Sequence, residues 1–65
     1  MSSNFPIGTR WVAVTAYDAE GARLGKAVGD VLRFGTPEKA NAQALHGLVV
    51  AFGERIARTA VHHGA

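Results

Sequence analysis

The strongest constraint on this chain is its last third, where no proline follows Pro37 and apolar side chains recur every three or four residues. Thr36 is a favourable N-cap, and Pro37 suits the first helical position. The pattern therefore predicts one long helix from Thr36 to about His63. A helix of roughly 26 residues measures about 39 Å, whereas a strand of six residues spans only about 20 Å. The C-terminal half of this helix would then extend beyond any sheet that precedes it.

The predicted helix carries two apolar stripes. The first is expected to pack on the chain's own sheet and comprises Leu45, Leu48, Val49, Phe52 and Ile56. The second has smaller side chains and no partner within the chain, and comprises Gln43, His46, Val50, Gly53, Ala57 and Ala60. Because small residues let two helices approach closely, the second stripe predicts a homodimer. Alternatively, Gly47 and Gly53 mark a kink that folds the last turns back, since each costs about 1 kcal/mol in a helix interior.

Strands are predicted ahead of this helix. Residues 10–17 are rich in β-branched and aromatic side chains and predict a first strand. Residues 18–21 end in glycine and predict a hairpin turn into a second strand at residues 22–28. A turn at Gly29 and Asp30 and a short third strand at residues 31–34 follow. The alternative is one long second strand with a bulge at Gly29.

These elements define an α+β fold, in which a two- or three-stranded antiparallel meander precedes one long C-terminal helix. Residues 1–8 are expected to form a flexible arm, and residues 9–65 a single domain. The first strand is apolar on both faces, and one helix can cover only one of them. The second face, with Trp11 and Tyr17, is therefore expected to be solvated or covered by another chain.

Composition limits the class of protein. A chain of 65 residues buries only about 60% of its unfolded surface, so self-association is the expected source of additional stability. The chain has no cysteine, which fits a reducing cytoplasm. Neither a signal peptide nor a membrane-spanning segment is predicted. The abundance of alanine, glycine, valine and arginine is typical of GC-rich genomes, such as those of actinobacteria and their phages.

No set of residues predicts a catalytic centre, a metal site or a bound cofactor. The five carboxylates fall in turns or at helix surfaces, where each has an ordinary structural role. His62 and His63 would point about 100° apart on a helix and could not share one ion. His46 lies on the second stripe, where two copies could meet and share a metal. The sequence therefore predicts a protein that is not an enzyme.

Two functions remain. The first is a small protein-interaction or regulatory module that acts as a cytoplasmic homodimer and binds another protein; if the chain is encoded by a phage, this target is a protein of the host. The residues expected at the dimer or partner interface are Trp11, Tyr17, His46, Val50, Gly53, Ala57 and Val61. The second is a nucleic-acid-binding module in which Trp11 or Tyr17 stacks on bases. Its cations would converge on one sheet edge and are Arg10, Arg23, Lys26, Arg33 and Lys39. The alternative role of these cations is to keep the sheet edges from pairing. Arg55, Arg58 and His62 are assigned to the polar face of the helix.

The run from Trp11 to Leu48 resembles the strand–strand–helix second half of double-stranded-RNA-binding domains, with residues 21–29 in the place of their glycine-rich hairpin and residues 36–45 in the place of their helix start. Only Lys39 stands where those domains place a basic cluster. The run from Gly35 to Ala40, Gly-Thr-Pro-Glu-Lys-Ala, is similar to the strand-to-helix junction of HicB-type antitoxins, which are partial ribonuclease-H-like folds that bind partner proteins. Both resemblances imply the topology and assign no functional residue.

Overall fold

In the computed structural model, which describes residues 5–65, an antiparallel sheet of three strands carries a helix on one face. The strands are β1 (Trp11–Tyr17), β2 (Arg23–Asp30) and β3 (Arg58–Gly64), in the spatial order β2-β1-β3. The helices are α1 (Val31–Phe34) and α2 (Pro37–Phe52), and a 3₁₀ turn (Gly53–Arg55) follows α2. The predicted α+β class is confirmed. Residues 1–4 of the predicted arm lie outside the described residues.

The hairpin between β1 and β2 forms where the sequence predicts it. The Asp18 carboxylate accepts hydrogen bonds from the backbone N–H groups of Glu20 and Ala22, at 3.0 and 2.8 Å. Gly21 takes a φ of +83°, which glycine adopts without steric cost. The register then shifts, because Ala16 pairs with Gly25 and Tyr17 with Arg23. Leu24 is the extra residue of this bulge and packs against the core.

The predicted third strand at residues 31–34 is wrong, because these residues form the short helix α1. The Asp30 carboxylate accepts a hydrogen bond from the Leu32 N–H at 3.0 Å and caps this helix. Gly35 ends it with a φ of +98°. An N-capping aspartate and a terminal glycine therefore outweigh the β-propensity of valine, leucine and phenylalanine.

The start of the long helix is predicted correctly and its end is not. The Thr36 hydroxyl accepts a hydrogen bond from the Lys39 N–H at 3.2 Å, and Pro37 occupies the first helical position. The helix ends at Phe52, because Gly53 takes a φ of +52° and donates its N–H to the Val49 carbonyl. The chain reverses, and residues 58–64 pair with β1 as the third strand of the sheet. The predicted continuation of the helix to His63 is therefore wrong.

The core lies between α2 and the first two strands. Val12, Val14 and Ala16 of β1 are buried on the helix side of the sheet. On α2 the buried positions repeat every four residues, at Ala40, Ala44 and Leu48. Of the first predicted stripe, Leu48 is buried, and Phe52 and Ile56 pack against the core. Leu45 and Val49 remain exposed, because α2 covers β1 and β2 and leaves the helix side of β3 largely uncovered.

Candidate nucleic-acid interface

The sheet face opposite α2 is open to solvent. Side chains alternate along β1, so Trp11, Ala13, Thr15 and Tyr17 point away from the helix. Directly opposite residues in an antiparallel pair share a face, and the register therefore adds residues from both neighbouring strands. We call these residues together the open face: Trp11, Ala13, Thr15 and Tyr17 of β1, Arg23, Lys26, Val28 and Asp30 of β2, and Arg58, Ala60, His62 and Gly64 of β3.

The open face has a floor of small side chains between two aromatic ends. Ala13 and Thr15 are buried in the floor although no helix covers them. At one end the Trp11 indole lies directly against Gly64, where a Cβ atom would overlap the ring. At the other end the Arg58 guanidinium carbon lies 4.1 Å from the centroid of the Tyr17 ring, a cation–π contact. Six residue steps along β1 separate the two rings by about 20 Å.

Positive charge is concentrated at the Tyr17 end of the open face. Arg23 and Arg58 are the register partners of Tyr17 on its two sides, and Lys26 is paired with Thr15, two residues away along β1. All three cationic side chains are exposed. Asp30, the carboxylate on this face, lies beside Trp11 at the other end, where it caps α1. The Tyr17 end therefore combines an aromatic ring with three cations.

The structure brings together two of the five cations that the sequence nominated for nucleic acid. Arg23 and Lys26 lie on the open face. Arg10 precedes β1 and lines a cavity of about 380 Å³ beside α1. Arg33 lies over the ring of Phe34 at 5.9 Å, and Lys39 lies in the first turn of α2, on the opposite face of the sheet. The expected convergence of all five on one edge is therefore wrong.

Arg58 is the residue of this site that sequence analysis placed elsewhere. It was assigned to the polar face of a helix, whereas it opens β3 and contacts Tyr17. Two features of the sequence indicate a strand that would contain Arg58: the β-branched residues Thr59 and Val61 alternate, and Gly53 precedes them as a helix terminator.

The residues predicted for a partner interface are dispersed. Trp11 and Tyr17 lie on the open face, whereas His46 and Val50 are exposed on α2. Gly53 ends α2, and Ala57 lies in the connection to β3. Val61 pairs with Val14 and therefore lies on the helix side of the sheet, 45% exposed. The second stripe does not exist as a helical surface, because the helix that would carry it ends at Phe52.

Across residues 5–65, no three histidine, aspartate or glutamate side chains lie close enough together to hold a metal ion. None of the described helices has the length and apolar character needed to cross a membrane. Comparison with known proteins finds no matching family model, no similar curated protein and no similar solved structure. The two family resemblances therefore stay predictions.

Proposed function

We propose that this chain is a nucleic-acid-binding module and that the open face binds single-stranded RNA or DNA. The observation that carries the proposal is the Tyr17 ring, which has Arg58 over it and Arg23 and Lys26 beside it. Aromatic rings on a sheet stack on unpaired bases, and neighbouring cations bind the phosphates. A single strand fits this surface better than a duplex, because the open face presents a sheet surface and no helix to enter a major groove.

The dimensions of the open face limit the length of strand that it can hold. Trp11 and Tyr17 are about 20 Å apart. A stacked strand advances about 3.4 Å per nucleotide, so about six nucleotides span the two rings. Ala13 and Thr15 between the two rings are only 3% and 4% exposed, so a bound strand would contact the exposed side chains of β2 and β3 that flank them. An oligonucleotide of eight nucleotides would therefore cover the site.

Binding is expected to weaken with salt in a way that reflects three phosphate contacts. Neutralising three phosphates on a single strand gives a slope of about −2 in log K against log salt. Affinity would then fall about 20-fold between 50 and 200 mM salt. Trp11, the single tryptophan of the chain, lies on the open face and reports binding through its fluorescence. Titration with an octanucleotide at several salt concentrations measures both the affinity and the slope.

Substitutions on the two sides of the sheet test which face binds. Tyr17→Ala removes one stacking platform worth about 1–3 kcal/mol, which corresponds to a loss of about 5- to 150-fold in affinity, whereas Tyr17→Phe keeps the ring. Lys26→Ala should reduce the salt slope by about 0.7. Lys39→Ala removes the same charge from the opposite side of the molecule and should change neither the affinity nor the salt slope. Equal effects of the two lysine substitutions would contradict binding at the open face.

The second candidate function is a non-enzymatic protein-interaction or regulatory module that acts as a homodimer. The observation that favours it is exposed apolar surface on the helix side of the molecule, at Leu45, Val49, Val50 and Val61. Its original basis, a continuous second stripe on one helix, is not retained in the structure. Both candidates describe a cytoplasmic protein that acts by binding and uses no cofactor.

A further inference from the structure

The two edges of the sheet differ in how well they are protected. Each edge strand pairs only with β1 in the described part of the chain. The β2 edge contains a bulge at Leu24, an exposed lysine at position 26 and glycines at positions 25 and 29. The β3 edge has no bulge and no lysine, its one glycine is the terminal Gly64, and its register with β1 is unbroken from Arg58 to Gly64. Bulges and lysines block strand addition, so β3 is the edge that remains able to pair.

We propose that β3 pairs with β3 of a second copy of this chain, antiparallel and about a two-fold axis at Val61. The product is one sheet of six strands, in which both copies use the same surface. Val61 lies opposite Val61 of the partner subunit, and Arg58 lies opposite Gly64 of the partner subunit. Most side chains of β3 are exposed in the single chain, and the Phe5 ring contacts the His63 ring near the C-terminal end of the strand.

The side chains that face each other decide the register of this pairing. An axis at Val61 joins two half-exposed valines and sets no cation opposite another cation. An axis one residue earlier, at Ala60, would place Arg58 opposite His62 of the partner subunit. An axis one residue later, at His62, would place the two His62 rings opposite each other and Val61 opposite His63 of the partner subunit. Cross-strand pairs of apolar β-branched side chains stabilise a sheet, so the axis that pairs the two Val61 side chains is favoured.

The dimer would join two open faces into one continuous surface. Tyr17 and Arg58 lie in one row of the sheet, and this row continues through Gly64 and Trp11 of the partner subunit. Tyr17 and the partner subunit's Trp11 would then be three strand spacings, or about 14 Å, apart. The expectation that nucleic acid binds across the joined open faces rests on the proposed function, whereas the pairing of the two β3 strands does not.

Single cysteines can test the register directly, because the chain has no cysteine of its own. Opposed residues in an antiparallel pair have Cα atoms about 4.5–5.5 Å apart, within disulfide range. Val61→Cys should therefore form a covalent dimer on mild oxidation and double the mass from 6.8 kDa. Thr59→Cys is the matched control on the same strand and face; the two Cα atoms at position 59 would be about 13 Å apart, so this variant should form no disulfide between the two copies. Faster cross-linking of Ala60→Cys or His62→Cys would overturn the proposed register.

Sedimentation of the unmodified chain tests the dimer without a cross-link. The wild-type chain should sediment at twice 6.8 kDa, whereas Val61→Lys should be monomeric because two lysines would face each other at the axis. Val50→Lys places the same charge on α2, away from β3, and should stay dimeric. A wild-type monomer, with no cross-linking of Val61→Cys, overturns the inference. If that monomer still binds the octanucleotide with the expected salt slope, the proposed function stands.

Discussion

Replacing Leu48 with alanine is expected to lower the free energy of unfolding by about 2–5 kcal/mol. Leu48 is 3% exposed and packs with Val14, Ala16 and Ala44 at the centre of the core. Its fully buried neighbours are one valine and two alanines, which are too short to fill the space left by the missing side chain. A domain of this size has a total stability of only a few kcal/mol. A substantial unfolded population is therefore expected at room temperature.

The matched control for this change is Leu45→Ala, one helical turn away on the same helix. Leu45 is 38% exposed, so its truncation should cost about 1 kcal/mol or less. Urea unfolding followed by far-ultraviolet circular dichroism gives both values. Equal losses for the two variants would mean that α2 is rotated relative to the sheet from the position described above.

The same substitution, glycine to alanine, is expected to have opposite effects at two positions. Gly29 is buried where β2 meets α2, and a Cβ atom there would overlap the backbone carbonyl of Ala40. A helix backbone cannot move aside as a flexible side chain does, so Gly29→Ala should cost about 3 kcal/mol. Gly47 lies in the exposed interior of α2 with open space around its Cα. Gly47→Ala should therefore stabilise the protein by about 0.5–1 kcal/mol.

Thermal unfolding distinguishes these two results. A change of 1 kcal/mol moves the midpoint of a domain of 60–100 residues by about 4–8 °C. Gly29→Ala should therefore lower the midpoint by well over 10 °C, if it folds at all, and Gly47→Ala should raise it by several degrees. A Gly29→Ala variant as stable as the wild type would show that β2 and α2 are not in close contact at this point.

Local signals in the sequence were sufficient for the hairpin and for the start of α2. The hairpin follows from Asp18 and Gly21, and the start of α2 follows from Thr36 and Pro37. The end of α2 was harder, because residues 54–63 also carry a helix-compatible spacing of apolar side chains. These residues form a strand because they pair with β1, which is apolar on both faces and has an edge that β2 does not occupy. Pairing between distant segments is not visible in a local pattern.

The same reason explains how much of the candidate site could be predicted. Tyr17, Arg23 and Lys26 belong to the hairpin, and their shared neighbourhood follows from local pairing. Arg58 joins them only because β3 docks beside β1, a step that the predicted long helix excluded. Arg10, Arg33 and Lys39 were grouped with them on charge alone, and the structure separates them.

The pairing of β3 with β1 has a consequence for the order of folding. Tyr17 and Arg58 are 41 residues apart in the chain, and the loop between them must be closed before their side chains meet. Contacts between such distant residues form late, because the entropy of closure must be overcome first. A chain emerging from the ribosome would hold its hairpin and α2 before its last strand is available. The contact between Tyr17 and Arg58 thus forms only after β3 has been synthesised, and a chain that stops before β3 would lack it.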